Sequence, residues 1–234
     1  MSVNNGIMVS SILTLLAPSI TVTLLILTLI LAKGDICPGQ RGRIHKLLPA
    51  IGLLWLAIAS LKVEAFLVVF AIFYFYSKVK TGKTRERGPF WVIHLANGFG
   101  IAFSAILISS QATFGHGVAL LSSGLLLGTA FAHLLLTIAR TRLQAFHRIL
   151  PVSGVILAIV FAVSFLGNAY HWQESVAQHY VIELVMSFVM LLVGITCWVW
   201  HLVRHHAPEK RQLSVAFFCL LSANVGLFQL YAVM

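Results

Sequence analysis

What most constrains this chain is the recurrence of long apolar runs from one end to the other. They fall at roughly 8–32, 47–61, 64–77, 90–109, 117–139, 149–167, 179–203 and 213–233. The longest polar interval between them is about a dozen residues, so no separate soluble domain fits. Residues 1–234 therefore read as a single all-α, polytopic integral-membrane domain. A β-barrel would show short alternating segments instead. Only 9% of residues are charged and 59% are hydrophobic, which excludes an ordinary soluble protein. The first residues, "MSVNNGIMVSS", carry no basic stretch, so the first run is expected to be a membrane span and not a cleaved signal peptide. Cys37, Cys197 and Cys219 are scattered, with no C-x-x-C pair to suggest a cluster or structural zinc.

The number of crossings turns on residues 47–77. As one helix this stretch of 31 residues would be about 46 Å long, against a hydrocarbon core of about 30 Å. As a hairpin it gives two short arms of about 15 residues, each about 22 Å. Charge chooses between them. Fifteen of the sixteen Lys and Arg residues lie at Lys33–Lys46, Lys78–Arg87, Arg140–Arg148, Arg204 and Lys210–Arg211. The last two groups share one loop, so there are four basic loops. The positive-inside rule puts all four on the cytoplasmic side. They share a side only if 47–77 crosses twice. The expectation is eight transmembrane helices with both termini on the outer, periplasmic side. The net charge of +10 thus has a topological origin and does not point to nucleic acid.

The remaining basic residue, Lys62, falls at the tip of that hairpin, in "SLKVEAF". Because the arms are short, the tip is expected below the outer surface, with Lys62 and Glu64 as the floor of a recess. The plainer alternative has both side chains reaching to the interface as caps on two short helices. Other outer-side polar residues are His116, His171, Trp172, Glu174, His179 and Glu183. His179 and Glu183 are four apart and share a helix face. An intramembrane carboxylate is expected to face the bundle interior. These residues are candidate ligand contacts for protons or a polar headgroup, or else an interfacial belt with Tyr170, Trp172 and Tyr180. Nothing fixes the spacing for a metal site among His116, His171 and His179.

Towards the inner side, His94 and His133 lie at similar depth on consecutive spans. They are the pair that a b-type haem would use, or core histidines bonded to Asn97, Thr137 or backbone. His201, His205 and His206 sit with Arg204 at an inner helix end, an ordinary place for cations. Gly124 and Gly128 form a small-xxx-small face, and Gly98 with Gly100 thins the 90–109 helix for close packing. Pro18 and Pro49 suggest local kinks. There is no phosphate-binding glycine loop, no H-E-x-x-H and no nucleophile elbow. The span centres are mostly Leu, Val, Phe and Ala. That suits a scaffold meeting an apolar ligand such as a quinone or lipid, more than an ion-driven pump.

The layout resembles the membrane-anchor subunit of dimethyl sulfoxide reductases, within the broader haem-free quinol-oxidising anchors. Two short stretches add to the resemblance. Leu61 and Glu64 match the Leu-x-x-Glu of that family's Ser-x-Leu-x-x-Glu pattern. Here Lys62 is the basic neighbour in place of Arg, and the serine is one position closer. Gly226 and Tyr231 in "GLFQLY" match the close of the family's last helix, with Leu227 where an Arg is usual. The family also carries a histidine and a further loop between its second and third helices, which the tight turn here lacks.

The resemblance implies a multi-pass protein of the bacterial inner membrane. It implies an outer-face iron–sulfur subunit and a molybdopterin catalytic subunit as partners, menaquinol as substrate, and no tightly bound cofactor. Quinol oxidation releases two protons and two electrons, so a proton acceptor is needed. Glu64, desolvated in its recess and tuned by Lys62, is the expected one. The competing readings are a small transporter or lipid-handling protein using Glu64, His179 and Glu183, a haem-b carrier using His94 and His133, and a scaffold without a site.

Overall fold

The computed structural model of the chain describes residues 2–79, 88–141, 143–170 and 174–231. Among them there is helix and no strand. In chain order the helices are α1 (Ser2–Lys33), α2 (Pro38–His45), α3 (Leu48–Ala59), α4 (Phe66–Lys78), α5 (Phe90–Ser109), α6 (Phe114–Ile138), α7 (Gln144–Ala169), α8 (Glu174–Val203) and α9 (Lys210–Tyr231). A 3-10 turn, Val63–Ala65, precedes α4.

Among the described residues, seven stretches are long and apolar enough to cross a membrane. They are α1, α2 with α3 as one unit, and α5 to α9. The remaining arm, α4, has 13 residues. The hairpin expected at 47–77 is present, but its arms are unequal. The first arm is lengthened by α2, in a segment that its basic residues and Pro-Gly marked as loop. Pro38 occupies the first helical turn, where its missing N–H costs nothing. The extended Cys37 accepts from the backbone N–H of Gln40 and Arg41, at 3.0 and 3.1 Å. Burial of Ile44 and His45 holds this short helix to the bundle.

Among the described residues, two of the basic segments meet. Arg43 donates to the Arg140 carbonyl at 3.1 Å. His45 packs edge-on against Phe75, which packs against Phe90. These contacts join the ends of α2, α4, α5 and α6.

The centre of the bundle is α1 against α6, with α5, α3 and α9 also touching α1. Glycine allows the close approach. A Cβ on Gly124 would stand 2.6 Å from the Pro18 ring, and one on Gly128 the same distance from the Ser19 carbonyl and the Val22 side chain. The threonines of α1 then reach across. Thr23 donates to the Gly128 carbonyl at 3.0 Å. Thr21 contacts the Gly100 carbonyl and the Ser104 hydroxyl at 3.2 and 2.9 Å. Asn97 donates to Thr28 at 2.9 Å. Within α1, Ser19, Thr21 and Thr23 also bond back one turn to the carbonyls of Leu15, Ala17 and Ser19. Gly98, unlike Gly100, faces open space, and its expected packing role does not hold.

Gly128→Leu is expected to lose about 1–3 kcal/mol by overpacking the α1–α6 contact. Gly98→Ala is expected to be neutral, or to gain up to about 1 kcal/mol of helix propensity. Thermal unfolding in detergent followed by helical circular dichroism checks both. Equal stability of the two variants would remove Gly128 from its assigned place.

Candidate functional site

Chemistry-bearing side chains gather at the basic end of the bundle. His133 lies in the last turns of α6, His147 in the first turn of α7, and Trp198 with His201 in the last turns of α8. His133, Trp198 and His201 are buried. The Trp198 indole lies over Gly154 of α7, where any Cβ would collide with it. Its Nε1–H donates to His133 Nδ1 at 2.8 Å.

Indole nitrogen only donates. His133 Nδ1 must therefore be the acceptor, which leaves the proton of the neutral ring on Nε2. That N–H points at His147 Nδ1, 2.9 Å away. His147 in turn carries its proton on Nε2, facing the Thr141 carbonyl at 3.4 Å. One donor thus fixes two tautomers in series. His201 completes the group, with Nδ1 2.8 Å from the Trp198 carbonyl and Nε2 3.2 Å from the His147 carbonyl. Three helices are pinned through rings that exchange hydrogen bonds with one another and with backbone.

This cluster was not visible in the sequence as a unit. Its members are separated by 14, 51 and 3 residues along the chain. The available signal was that each lies within two turns of the same, basic end of its helix. The His94–His133 pair of the haem alternative is not among these contacts. His94 is exposed on α5, beside Phe90. α1 packs extensively against both α5 and α6, which touch each other far less. Both ring nitrogens of His133 are already engaged. The structure therefore does not bring His94 and His133 together as a haem pair. No group of three His, Cys, Asp or Glu side chains is placed to hold a metal ion among the described residues.

At the other end, Lys62 and Glu64 are exposed at the hairpin tip, with exposed Ser60, Leu61 and Val63 around them. They do not form the floor of an enclosed recess within this chain. Buried Ala65 anchors the tip from below. His116 is half-buried in the first turn of α6, where its backbone N–H meets the N-capping Thr113 hydroxyl at 3.2 Å. His179 packs edge-on against Tyr180 and is exposed, as is Glu183. Glu183 thus points away from the bundle interior, contrary to expectation, because the inward face of α8 is taken by Ser187, Leu191, Gly194 and Trp198. His171 and Trp172 lie outside the described residues.

One feature of this end has no counterpart among the sequence expectations. Between α5 and α6 lies an apolar cleft of about 580 Å³, lined by residues including Ala105, Ile108, Phe114, Val118 and Leu121, with Gln111 and Thr113 at its polar edge. Gln111 donates from Nε2 to the Leu107 carbonyl at 2.9 Å, so its amide oxygen is the end suited to accept. Its signal in the sequence was the short connection "SSQATFGHG", whose small residues leave room between two helix ends.

A family model described as an integral membrane domain matches residues 5–230. A protein of Haemophilus influenzae, described as an uncharacterized protein, is 29% identical over 234 residues, covering 91% of this chain and 82% of that protein. No solved structure matches.

Trp198→Phe leaves an aromatic ring beside Gly154 but removes the indole edge over it and strands His133 Nδ1 in a buried site. The expected loss is about 1–3 kcal/mol. It is measured as a drop in thermal stability in detergent, and an unchanged midpoint would show the indole N–H to be dispensable.

Proposed function

The chain belongs to a family of integral membrane domains, and on that premise we propose that it is the quinol-oxidising membrane anchor of a multi-subunit reductase. The observation that carries this reading is the outer α5–α6 cleft. Its volume falls within the range of small-molecule sites, about 300–1,000 Å³, and its lining is apolar with a few polar groups at one edge. A quinol has this same division, an apolar ring and tail with two hydroxyls. Leu121, exposed at 44%, leaves the cleft open sideways to lipid, the phase from which a quinol arrives.

In this reading the Gln111 amide oxygen accepts from one quinol hydroxyl and orients the ring. Oxidation to the quinone releases two protons to water at the outer surface. The two electrons pass to an iron–sulfur subunit docked on that face, and from there to a molybdopterin catalytic subunit. Lys62 and Glu64, exposed on the hairpin tip, supply a charge pair for that partner. Glu64 is exposed on this chain, so its part in proton release belongs to the assembled complex, where a partner covers the hairpin tip. Menaquinol is the substrate that the resemblance favours.

The topology belongs to the same proposal. The short α4 completes an eighth crossing, both termini lie outside, and the basic end faces the cytoplasm of a bacterial inner membrane. Cys37 and Lys62 lie at opposite ends of the α2–α3 arm and report on this directly. The backbone N–H of Gln40 lowers the thiol of exposed Cys37 below its ordinary value. It should therefore reach full labelling rate at lower pH than a free cysteine. A membrane-impermeant maleimide is expected to label a Lys62→Cys variant from outside intact cells, and Cys37 only after the cells are opened. Labelling of both from the same side would overturn the eight-crossing arrangement.

Purification in mild detergent is expected to retain iron–sulfur and molybdenum subunits, and membranes are expected to show quinol-dependent reduction. Gln111→Leu should lower that activity about fivefold, the worth of one hydrogen bond, without loss of the partners. A chain that purifies alone and supports no quinol turnover would sink the assignment.

A further inference from the structure

We propose that the cavity at the basic end, between α7 and the α8–α9 connection, binds the phosphate of an anionic phospholipid headgroup. The cavity measures about 530 Å³ and is lined by Gln144, His147, Arg148, His201, His205 and His206, with Leu202, Ala207 and Pro208 closing it. No carboxylate lines it, and Glu209 lies beyond Pro208. His147 and His201 are committed to the buried cluster. The exposed side chains of Gln144, Arg148, His205 and His206 are the donors offered to a ligand.

Two placements run against the preferences of an empty helix end. The N-terminus of α7 carries the positive pole of its dipole, where acidic residues are favoured and cations are not. Its first turn has no acid, and Arg148 follows directly after it. The second is His205. α8 ends with the His206 N–H on the His201 carbonyl at 3.0 Å and the His205 N–H on the Leu202 carbonyl at 3.3 Å. This closure asks for glycine in the left-handed position. His205 sits there instead, at φ 54°. A bound anion accounts for both. It complements the dipole and Arg148 together, and it gives an imidazole at position 205 a task that glycine would not perform.

The membrane setting selects the source of the phosphate. The cavity opens at the ends of the spans, at headgroup depth. Beside it α7 presents Ile149, Val152 and Ile156, exposed at 60, 53 and 58%, an apolar track of the kind an acyl chain covers. Basic pockets between helices on the cytoplasmic side take anionic headgroups by this combination of charge and depth.

Native mass spectrometry of the full chain in mild detergent tests this, with phosphatidylglycerol, phosphatidylcholine and inorganic phosphate as separate probes. The expected result is one phosphatidylglycerol per chain held in preference to phosphatidylcholine, weakened about fivefold by Arg148→Ala. His205→Gly should also weaken it while unfolding at an equal or higher temperature, since glycine adopts φ 54° freely. Lys210→Ala, a basic residue of the same end outside the cavity, should leave retention unchanged. Inorganic phosphate displacing the lipid at equal concentration would overturn the lipid assignment in favour of a soluble phosphate. Equal retention of phosphatidylcholine, or indifference to Arg148→Ala, would overturn the site.

Discussion

The structure depends on how α1 meets its polar obligations in hydrocarbon. Lipid offers no hydrogen bonds, so each hydroxyl in a span must find a protein acceptor. α1 has threonines at 21, 23 and 28, and each meets a group on a neighbouring helix. Those bonds form only where helices approach closely, and the approach is set by Gly100, Gly124 and Gly128. Individually such bonds contribute about 0.6 kcal/mol, at most about 2. Their greater effect is on register. A hydroxyl on α1 that meets one particular group on the facing helix fixes how far α5 and α6 slide along α1, and the outer helices pack on that trio.

The two ends of the bundle are built differently. At the basic end the helices are tied by rings and backbone: His45 against Phe75, Arg43 on the Arg140 carbonyl, and the His133–His147–Trp198–His201 group. At the other end the connections are short, and their side chains are exposed, as at Lys62, Glu64, Phe114 and Tyr170. One end is closed by internal polar contacts, and the other presents surface.

Much of this was legible in residue order. The runs gave the helices, and the glycines at 124 and 128 gave the α6 face that meets α1. The clustering of Lys and Arg anticipated the meeting of two basic segments, where Arg43 reaches the Arg140 carbonyl; residues 80–87 of a third lie outside the described residues. What failed did so for reasons of neighbourhood. α2 read as a loop because its polar, proline-led sequence has no apolar run, although Ile44 and His45 are buried. His94 and His133 matched in depth, but depth says nothing of direction: His94 is exposed on α5, and His133 is turned to His147 and Trp198. Glu183 was expected inward on the cost of burying a charge in lipid, yet the small and apolar residues of α8 had already claimed that face. The tautomer chain through Trp198 needs three-dimensional contact and has no counterpart in spacing.

One feature of the hairpin bears on the lipid itself. α4 has 13 residues, about 20 Å of helix, and turns Leu67, Phe70 and Tyr74 outward, exposed at 52, 74 and 49%. Its neighbour α5 has 20 residues, about 30 Å. The lipid annulus therefore meets two apolar heights side by side. Acyl chains beside α4 must shorten or tilt, at a cost of fractions of a kcal/mol per Å of mismatch. Bilayer elasticity thus favours a thin membrane around this protein, and it favours neighbours whose own apolar belts are equally short along that side.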